Sequence, residues 1–187
     1  MKRILALLLC VCCFIPVLSS CGNDKPVVEI EVRSFGVIRL ELRRDIAPIT
    51  VDNFISLAES GFYDGLTFHR IMQGFMIQGG DPQGTGMGGS DKTIKGEFSA
   101  NGIKNTLTHV RGTISMARSS AYNSASSQFF ICNADSTFLD GQYAAFGYVT
   151  EGMDVVDAIT AYAISKGYTE SVPKADQPVI ETIRVVK

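Results

Sequence analysis

The chain has 187 residues, and its 17 Lys and Arg against 19 Asp and Glu give a net charge of −2 at pH 7. This length fits one domain with a sizeable core. No stretch of the chain interleaves basic and aromatic residues as a polyanion-binding surface does, so we expect no nucleic-acid partner.

The amino-terminal segment has the pattern of a secretion signal. Lys2 and Arg3 precede an apolar run over residues 4–18, which is shorter than the ~20 residues that a membrane-spanning helix needs. Residues 18–21 (LSSC) follow and resemble a bacterial lipobox. This resemblance implies cleavage before Cys21 and lipidation of its thiol, with the domain outside the cytoplasm on a membrane of the bacterial cell envelope. A retained membrane helix and a plain signal peptide are the alternatives.

These features divide the chain into a signal segment (1–20), a short tether (21–26) and one domain (27–187). The tether residues after Cys21 span at most about 18 Å when extended, so a lipid there would hold the domain close to the membrane. Loss of Lys2 and Arg3 with the signal would take the net charge from −2 to −4.

Cys21 and Cys132 are the cysteines that lie beyond the signal segment. A lipid on Cys21 would exclude a disulfide, although exported proteins occupy compartments that permit one. Cys132 ends an apolar run, and we expect a buried thiol with no catalytic role.

Apolar periodicity predicts the secondary structure of the domain. Alternating residues over 28–32 and 38–42 predict an antiparallel hairpin. Pro48 and a helical spacing of apolar residues that stops at Gly61 predict a first helix over about 47–60. A second helix fits residues 153–162. Further strands are predicted at 67–71, 75–78, 112–116, 128–132, 144–149 and 179–186. Many short strands with two helices favour a closed antiparallel sheet.

One fixed cation lies among apolar residues and amides in the middle of the domain. Arg70 ends the motif FHR, and GFM (74–76), QGGD (78–81) and SQFF (127–130) follow it. A guanidinium is always charged and donates hydrogen bonds from a rigid fork. No acid/base pair accompanies Arg70, so the pattern indicates a site that grips a carbonyl or amide without moving protons.

Six motifs in this order resemble the signature of the cyclophilin-type peptidyl-prolyl cis-trans isomerases. They are FHR (68–70), GFM (74–76), QGGD (78–81), SMA (115–117), SQFFI (127–131) and LDG (139–141). The resemblance covers roughly residues 27–187. It implies a mostly β fold, a closed eight-stranded antiparallel β-barrel capped by two α-helices. It also implies rotation of X–Pro bonds in proline-containing polypeptides, with no cofactor and no metal.

The resemblance assigns roles to individual residues of this chain. The catalytic positions are Arg70, Phe75, Gln78 and Phe130, with Arg70 donating to the twisting prolyl amide. The substrate-binding positions are Met76, Gly86, Ala117, Gln128, Phe138, Leu139 and Tyr143. The alternative for each apolar member is that it fills the core.

Two positions depart from the common family pattern. Phe138 stands where many cyclophilins have Trp, and Tyr143 stands where many have His. The first change removes an indole N–H donor. We therefore expect only weak binding of cyclosporin-type inhibitors. Separately, we expect the protein to be a monomer.

Other residue patterns bear on three alternative functions. Residues 84–89 (GTGMGG) satisfy G-x-G-x-x-G, but no amphipathic helix follows and no acid stands about twenty residues later, so we expect a mobile glycine loop beside a groove. His69 and His109 lack the motifs of a hydrolase or a metal site, and we expect each to be a structural hydrogen-bonding residue. A binding module for one proline-containing partner is the third alternative.

Overall fold

The fold comes from a computed structural model that describes residues 25–186. The predicted signal segment, Cys21 and most of the tether lie outside the described residues. The strands are β1 (Val27–Val32), β2 (Gly36–Leu42), β3 (Phe68–Met72), β4 (Met76–Gly79), β5 (Thr113–Met116), β6 (Phe129–Cys132), β7 (Ala145–Glu151) and β8 (Ile180–Val185). The helices are α1 (Pro48–Glu59) and α2 (Met153–Ser165), with short 3₁₀ turns at Ser99–Asn101, Thr137–Leu139 and Lys174–Asp176.

The predicted amino-terminal hairpin is confirmed. Strands β1 and β2 pair antiparallel, with Val28 opposite Leu40 and Ile30 opposite Ile38. These apolar residues are buried, whereas the residues between them are partly exposed. Alternation of this kind places one face of the hairpin on the core.

Helix α1 is confirmed at its predicted position, and its first turn is held from another part of the chain. The Glu97 carboxylate accepts hydrogen bonds from the backbone N–H groups of Thr50 (2.8 Å) and Ile49 (3.2 Å). A carboxylate is favourable there because the first N–H groups of a helix have no partner within the helix. Helix α2 extends beyond its predicted end because Ala163 is still buried in its last turn.

The prediction of a closed barrel is wrong, because the eight-stranded sheet is an open half-barrel. Its order is β3-β4-β6-β5-β7-β2-β1-β8, so β3 and β8 are edges. An isolated bridge between Thr67 and Val179 links the chain beside these two edges, and Ile180 N donates to Leu66 O over 2.8 Å. The segment over residues 170–178 instead covers the β3 edge, where Ile71 N donates to Glu170 O and Phe68 N to Pro178 O. A proline has no N–H, so Pro178 cannot continue a β-ladder into β8.

Side chains on the two faces of β4 and β6 enter different clusters. Ile77, Phe129 and Ile131 belong to the main core, which α1 and α2 also enter. Met76 and Phe130 point to the other face, into a smaller apolar cluster with Leu139 and Cys132. Cys132 is a buried free thiol, as predicted. No helix in the described part of the chain is long and apolar enough to cross a membrane.

Candidate functional site

A row of residues crosses four neighbouring strands on one face of the sheet. Arg70 on β3 lies opposite Gln78 on β4, Gln78 lies opposite Phe130 on β6, and Phe130 lies opposite Ser115 on β5. Residues that face each other across strands share one face of a sheet. The strand register therefore brings together Arg70, Gln78 and Phe130, although Phe130 is distant from the other two in the sequence.

This row borders a pocket of about 160 Å³. The lining residues are Arg70, Phe75, Met76, Gln78, Ala117, Arg118, Phe130, Leu139 and Tyr143. Eight of these nine were predicted as site residues from the sequence. The apolar members belong to the smaller cluster, so Phe75 and Phe130 do not fill the main core.

The Arg70 guanidinium is hydrogen-bonded on two sides. Its Nε and Nη2 atoms lie 2.9 and 2.8 Å from Glu170 Oε1. Its Nη1 donates to Gln78 Oε1 over 3.3 Å, and Nη2 lies 3.2 Å from Met72 Sδ. The guanidinium carbon lies 5.9 Å from the centre of the Phe75 ring. The cation is thus held at the wall of an apolar pocket.

The two predicted glutamines continue this hydrogen-bond chain. Gln78 Nε2 donates to Gln128 Oε1 over 2.8 Å. Gln128 Nε2 in turn donates to the carbonyls of Gly86 (3.0 Å) and Gly88 (2.7 Å). The chain from Arg70 therefore ends on the glycine loop, and Gly86 borders the groove beside the pocket.

A single carboxylate organises this glycine loop. Asp81 accepts hydrogen bonds from the backbone N–H groups of Gln83 (2.8 Å), Thr85 (2.9 Å) and Gly86 (2.6 Å). Burial acts to raise the pKa of Asp81, but these backbone donors outweigh it and hold the pKa below its ordinary value. A Cβ on Gly88 would overlap the same carboxylate. Among the motif glycines, Gly84 and Gly86 have positive φ angles (67° and 85°), and a Cβ on Gly89 would overlap Ser126 Oγ, so the G-x-G-x-x-G pattern has a structural explanation without a nucleotide.

His109 supports Phe130 from behind, as a structural hydrogen-bonding residue. The two rings stack with centroids 6.1 Å apart. His109 Nδ1 lies 2.8 Å from Asp140 Oδ1, and Nε2 lies 3.0 Å from Ser115 Oγ. Burial lowers the pKa of His109, although Asp140 opposes the shift. In the neutral ring, Nδ1 donates to the carboxylate and Nε2 accepts from the hydroxyl. The prediction for His109 is confirmed.

The same prediction for His69 is wrong. Its side chain is buried, and neither ring nitrogen has a hydrogen-bond partner among residues 25–186. Nε2 faces Gly86, where a Cβ would lie 3.5 Å away. Burial lowers the pKa of His69, and the Asp81 charge only partly offsets this.

Phe138 and Tyr143 occupy different places at the rim. The Phe138 ring lies 5.5 Å from that of Phe75 and does not line the pocket. Tyr143 lines the pocket and packs edge-on against Phe130 at 6.0 Å. Phe138 therefore lies outside the pocket lining, and Tyr143 lies within it.

Sequence reasoning missed Arg118. Its guanidinium carbon lies 5.1 Å from the ring centres of Phe98 and Tyr122 and 4.6 Å from that of Tyr143. Its Nε and Nη2 donate to Gln142 O over 3.0 and 2.8 Å. Arg118 directly follows the SMA motif, and this adjacency was the only signal in the sequence that could have indicated it.

Comparison with known proteins agrees with this fold. The family model for cyclophilin type peptidyl-prolyl cis-trans isomerases matches residues 27–185. The chain belongs to this family of isomerase enzymes.

Individual relatives support the same assignment. A peptidyl-prolyl cis-trans isomerase-like 1 protein of Rhizopus delemar is 50% identical over 124 residues, covering 66% of this chain and 73% of the relative. A peptidyl-prolyl cis-trans isomerase of Acinetobacter baylyi is 44% identical over 163 residues, covering 82% of this chain and 81% of the relative. A Cryptosporidium parvum cyclophilin, crystallised in the presence of the dipeptide Ala-Pro, superposes with a TM-score of 0.75 at 31% identity. It covers 86% of this chain and 99% of its own.

Proposed function

We propose that this isomerase accelerates rotation about X–Pro bonds in unfolded or extended proteins of the bacterial cell envelope, and so assists their folding after export. The observation that carries the proposal is the pocket in which the Arg70 guanidinium borders an apolar socket. The Cryptosporidium relative crystallised with Ala-Pro supports a proline-containing substrate.

The chemistry of the amide explains what such a pocket must do. Resonance gives the peptide bond a rotation barrier of ~18–20 kcal/mol, and X–Pro bonds relax unaided in tens to hundreds of seconds. Twisting uncouples the nitrogen lone pair from the carbonyl, so the nitrogen becomes a better hydrogen-bond acceptor. A donor aimed at it stabilises the twisted state more than either planar state. The reaction breaks no covalent bond and transfers no proton, so it needs no cofactor.

We assign this donation to Arg70, either to the prolyl nitrogen or to the proline carbonyl. A guanidinium donates hydrogen bonds from a rigid fork, and the fork of Arg70 is hydrogen-bonded to Glu170 and Gln78. One preorganised donor contributes ~3–4 kcal/mol to such a transition state, which is about two to three decades of rate. Binding and desolvation in the pocket supply the remainder.

The other pocket residues bind the chain on either side of this bond. Phe75, Met76, Phe130 and Leu139 form the socket for the pyrrolidine ring. Gln128 Oε1 accepts one hydrogen bond from Gln78, and its second lone pair can accept a substrate N–H. The small side chain of Ala117 leaves space for the residue before proline.

The titratable groups near the pocket fit a reaction without acid or base catalysis. The pKa of the Cys132 thiol is raised to about 12 by burial, so this thiol is not a nucleophile at neutral pH. Burial lowers the pKa of His109, and both of its ring nitrogens are occupied.

The envelope location rests on the lipobox-like residues 18–21. A lipid on Cys21 and a tether of about 18 Å would place the pocket near the membrane surface, where exported chains emerge unfolded. The domain would act there as a monomer.

A protease-coupled assay on a short proline peptide tests the activity, and refolding of an exported protein with a proline-limited slow phase tests the folding role. We expect acceleration of both at catalytic enzyme concentrations. The alternative of a binding module predicts peptide binding without acceleration, and that result would reject the proposed function.

A further inference from the structure

The hydrogen-bond inventory of Arg70 leaves one donor unused. A guanidinium has five N–H groups, one on Nε and two on each Nη. Nε donates to Glu170 Oε1, and Nη1 donates to Gln78 Oε1. Nη2 donates to Met72 Sδ and lies 2.8 Å from Glu170 Oε1 in the ion pair. Among residues 25–186, the second N–H of Nη1 therefore has neither a hydrogen-bond partner nor an ion-pair partner. The free N–H belongs to Nη1, the nitrogen that also donates to Gln78 Oε1, and both residues line the pocket.

Glu170 holds the opposite edge of the guanidinium from a fixed backbone. Ile71 N donates to Glu170 O over 2.8 Å, and Val172 N donates to His69 O over 3.0 Å. These bonds lie on either side of the bridge between Arg70 and Ser171. The next part of the segment is fixed as well, because Gln177 Nε2 donates to Val172 O (2.9 Å) and Gly84 O (2.8 Å).

We propose that Glu170 is a positioning residue for Arg70, which leaves a single Nη1 N–H for the twisting prolyl amide. This inference rests on the proposed role of Arg70 as the transition-state donor. Without Glu170, the Nε edge loses its acceptor and the long side chain regains rotamers in which Nη1 leaves the pocket wall. Glu170 is not among the residues that line the pocket, and it acts through Arg70.

Glu170 affects the rate rather than the stability, because the pair is open to solvent. The side chains of Arg70 and Glu170 are 34% and 54% exposed. Ion pairs with this exposure contribute little to folding. Orientation of a donor, in contrast, acts directly on the transition state.

The test compares Glu170→Ala and Glu170→Gln with a matched control. Asp157 has the same exposure of 54% and forms a two-pronged ion pair with Arg111, so Asp157→Ala removes a similar surface pair outside the pocket. We expect Glu170→Ala to lower kcat about fivefold with little change in KM. Glu170→Gln keeps an acceptor and should recover most of that loss, and Asp157→Ala should leave kcat unchanged. A parent-like kcat for Glu170→Ala, or equal losses for the control, would overturn the inference.

A double-mutant cycle shows whether Glu170 acts through Arg70. In an Arg70→Ala background, Glu170→Ala should cause no further loss. A further fivefold loss would show an independent role and contradict the positioning. Failure of the proposed function is distinguishable, since Arg70→Ala alone would then isomerise at the parent rate. NMR gives a readout that stability does not affect: the Arg70 Nε–H resonance should lose its protection from exchange in Glu170→Ala and keep it in Asp157→Ala.

Discussion

The ring of Phe138 leans on the ring of Phe75, with centroids 5.5 Å apart and planes tilted by 39°. Phe138 is 71% exposed, so it forms an outer rim above a residue that lines the pocket. A ligand that extends beyond the socket meets Phe138, whereas a prolyl ring inside the socket does not.

This arrangement predicts weak binding of cyclosporin-type inhibitors, since Phe138 offers no indole N–H. The missing hydrogen bond is worth ~0.5–1.5 kcal/mol net, which is a few-fold to about tenfold in affinity. Phe138→Trp should tighten inhibition by that factor and leave kcat/KM for a short peptide unchanged. Inhibitor titration of both forms is the measurement, and equal inhibition constants would show that the rim donor does not set the sensitivity.

The lipobox-like residues 18–21 predict a membrane-associated mature protein that carries acyl groups on Cys21. Cys21→Ser should block this processing. Intact-mass spectrometry of the membrane fraction measures the first residue of the mature protein and the acyl groups on Cys21. A mature form that starts at another residue, or an unmodified Cys21, would reject lipidation.

The buried histidines predict a loss of stability in mild acid. Burial lowers the pKa of His69 and His109 below the ordinary value of 6.5. The unfolded chain therefore takes up protons that the folded chain does not as the pH falls below 6.5, and the free energy of unfolding decreases toward the lower folded-state pKa values. Each histidine contributes at most about 1.4 kcal/mol per pH unit.

His69 provides the test because its ring nitrogens have no partner among the described residues. His69→Leu should lose less stability than the parent between pH 7 and pH 5 in urea titrations. The carboxylate of Asp81, whose pKa is lowered from 3.8, affects the free energy of unfolding mainly below pH 5 and so outside this pH range. Equal pH slopes for the parent and His69→Leu would exclude a contribution from His69.

Local patterns predicted most of the fold, since alternation and helical spacing depend on adjacent residues. The open sheet could not be predicted, because it depends on where the segment with Pro178 lies against β3. Strand β7 extends to Glu151, beyond its predicted end, because polar residues there still pair with Arg39 on β2. The apolar sequences of β4 and β6 could not show which face of each strand packs on the main core, because residues on both faces are buried.

In the site as well, residues within sequence motifs could be predicted, whereas residues that matter only through contacts in the folded chain could not. Motif positions predicted Arg70, Gln78 and Phe130, which the strand register brings together. Arg118 and Glu170 were missed, because they contact residues on distant parts of the chain that only folding brings close to them. Glu170, for example, is 100 residues from Arg70 in sequence.

The central claim is that the Arg70 guanidinium stabilises the twisted prolyl amide. The decisive measurement is kcat/KM of Arg70→Ala and Arg70→Lys on a short proline peptide, with circular dichroism to show that both remain folded. We expect Arg70→Ala to lose at least about a hundredfold. Arg70→Lys should recover little, since a point charge cannot reproduce the fork that Glu170 and Gln78 hold. A folded Arg70→Ala protein that isomerises the peptide at the parent rate would contradict the mechanism.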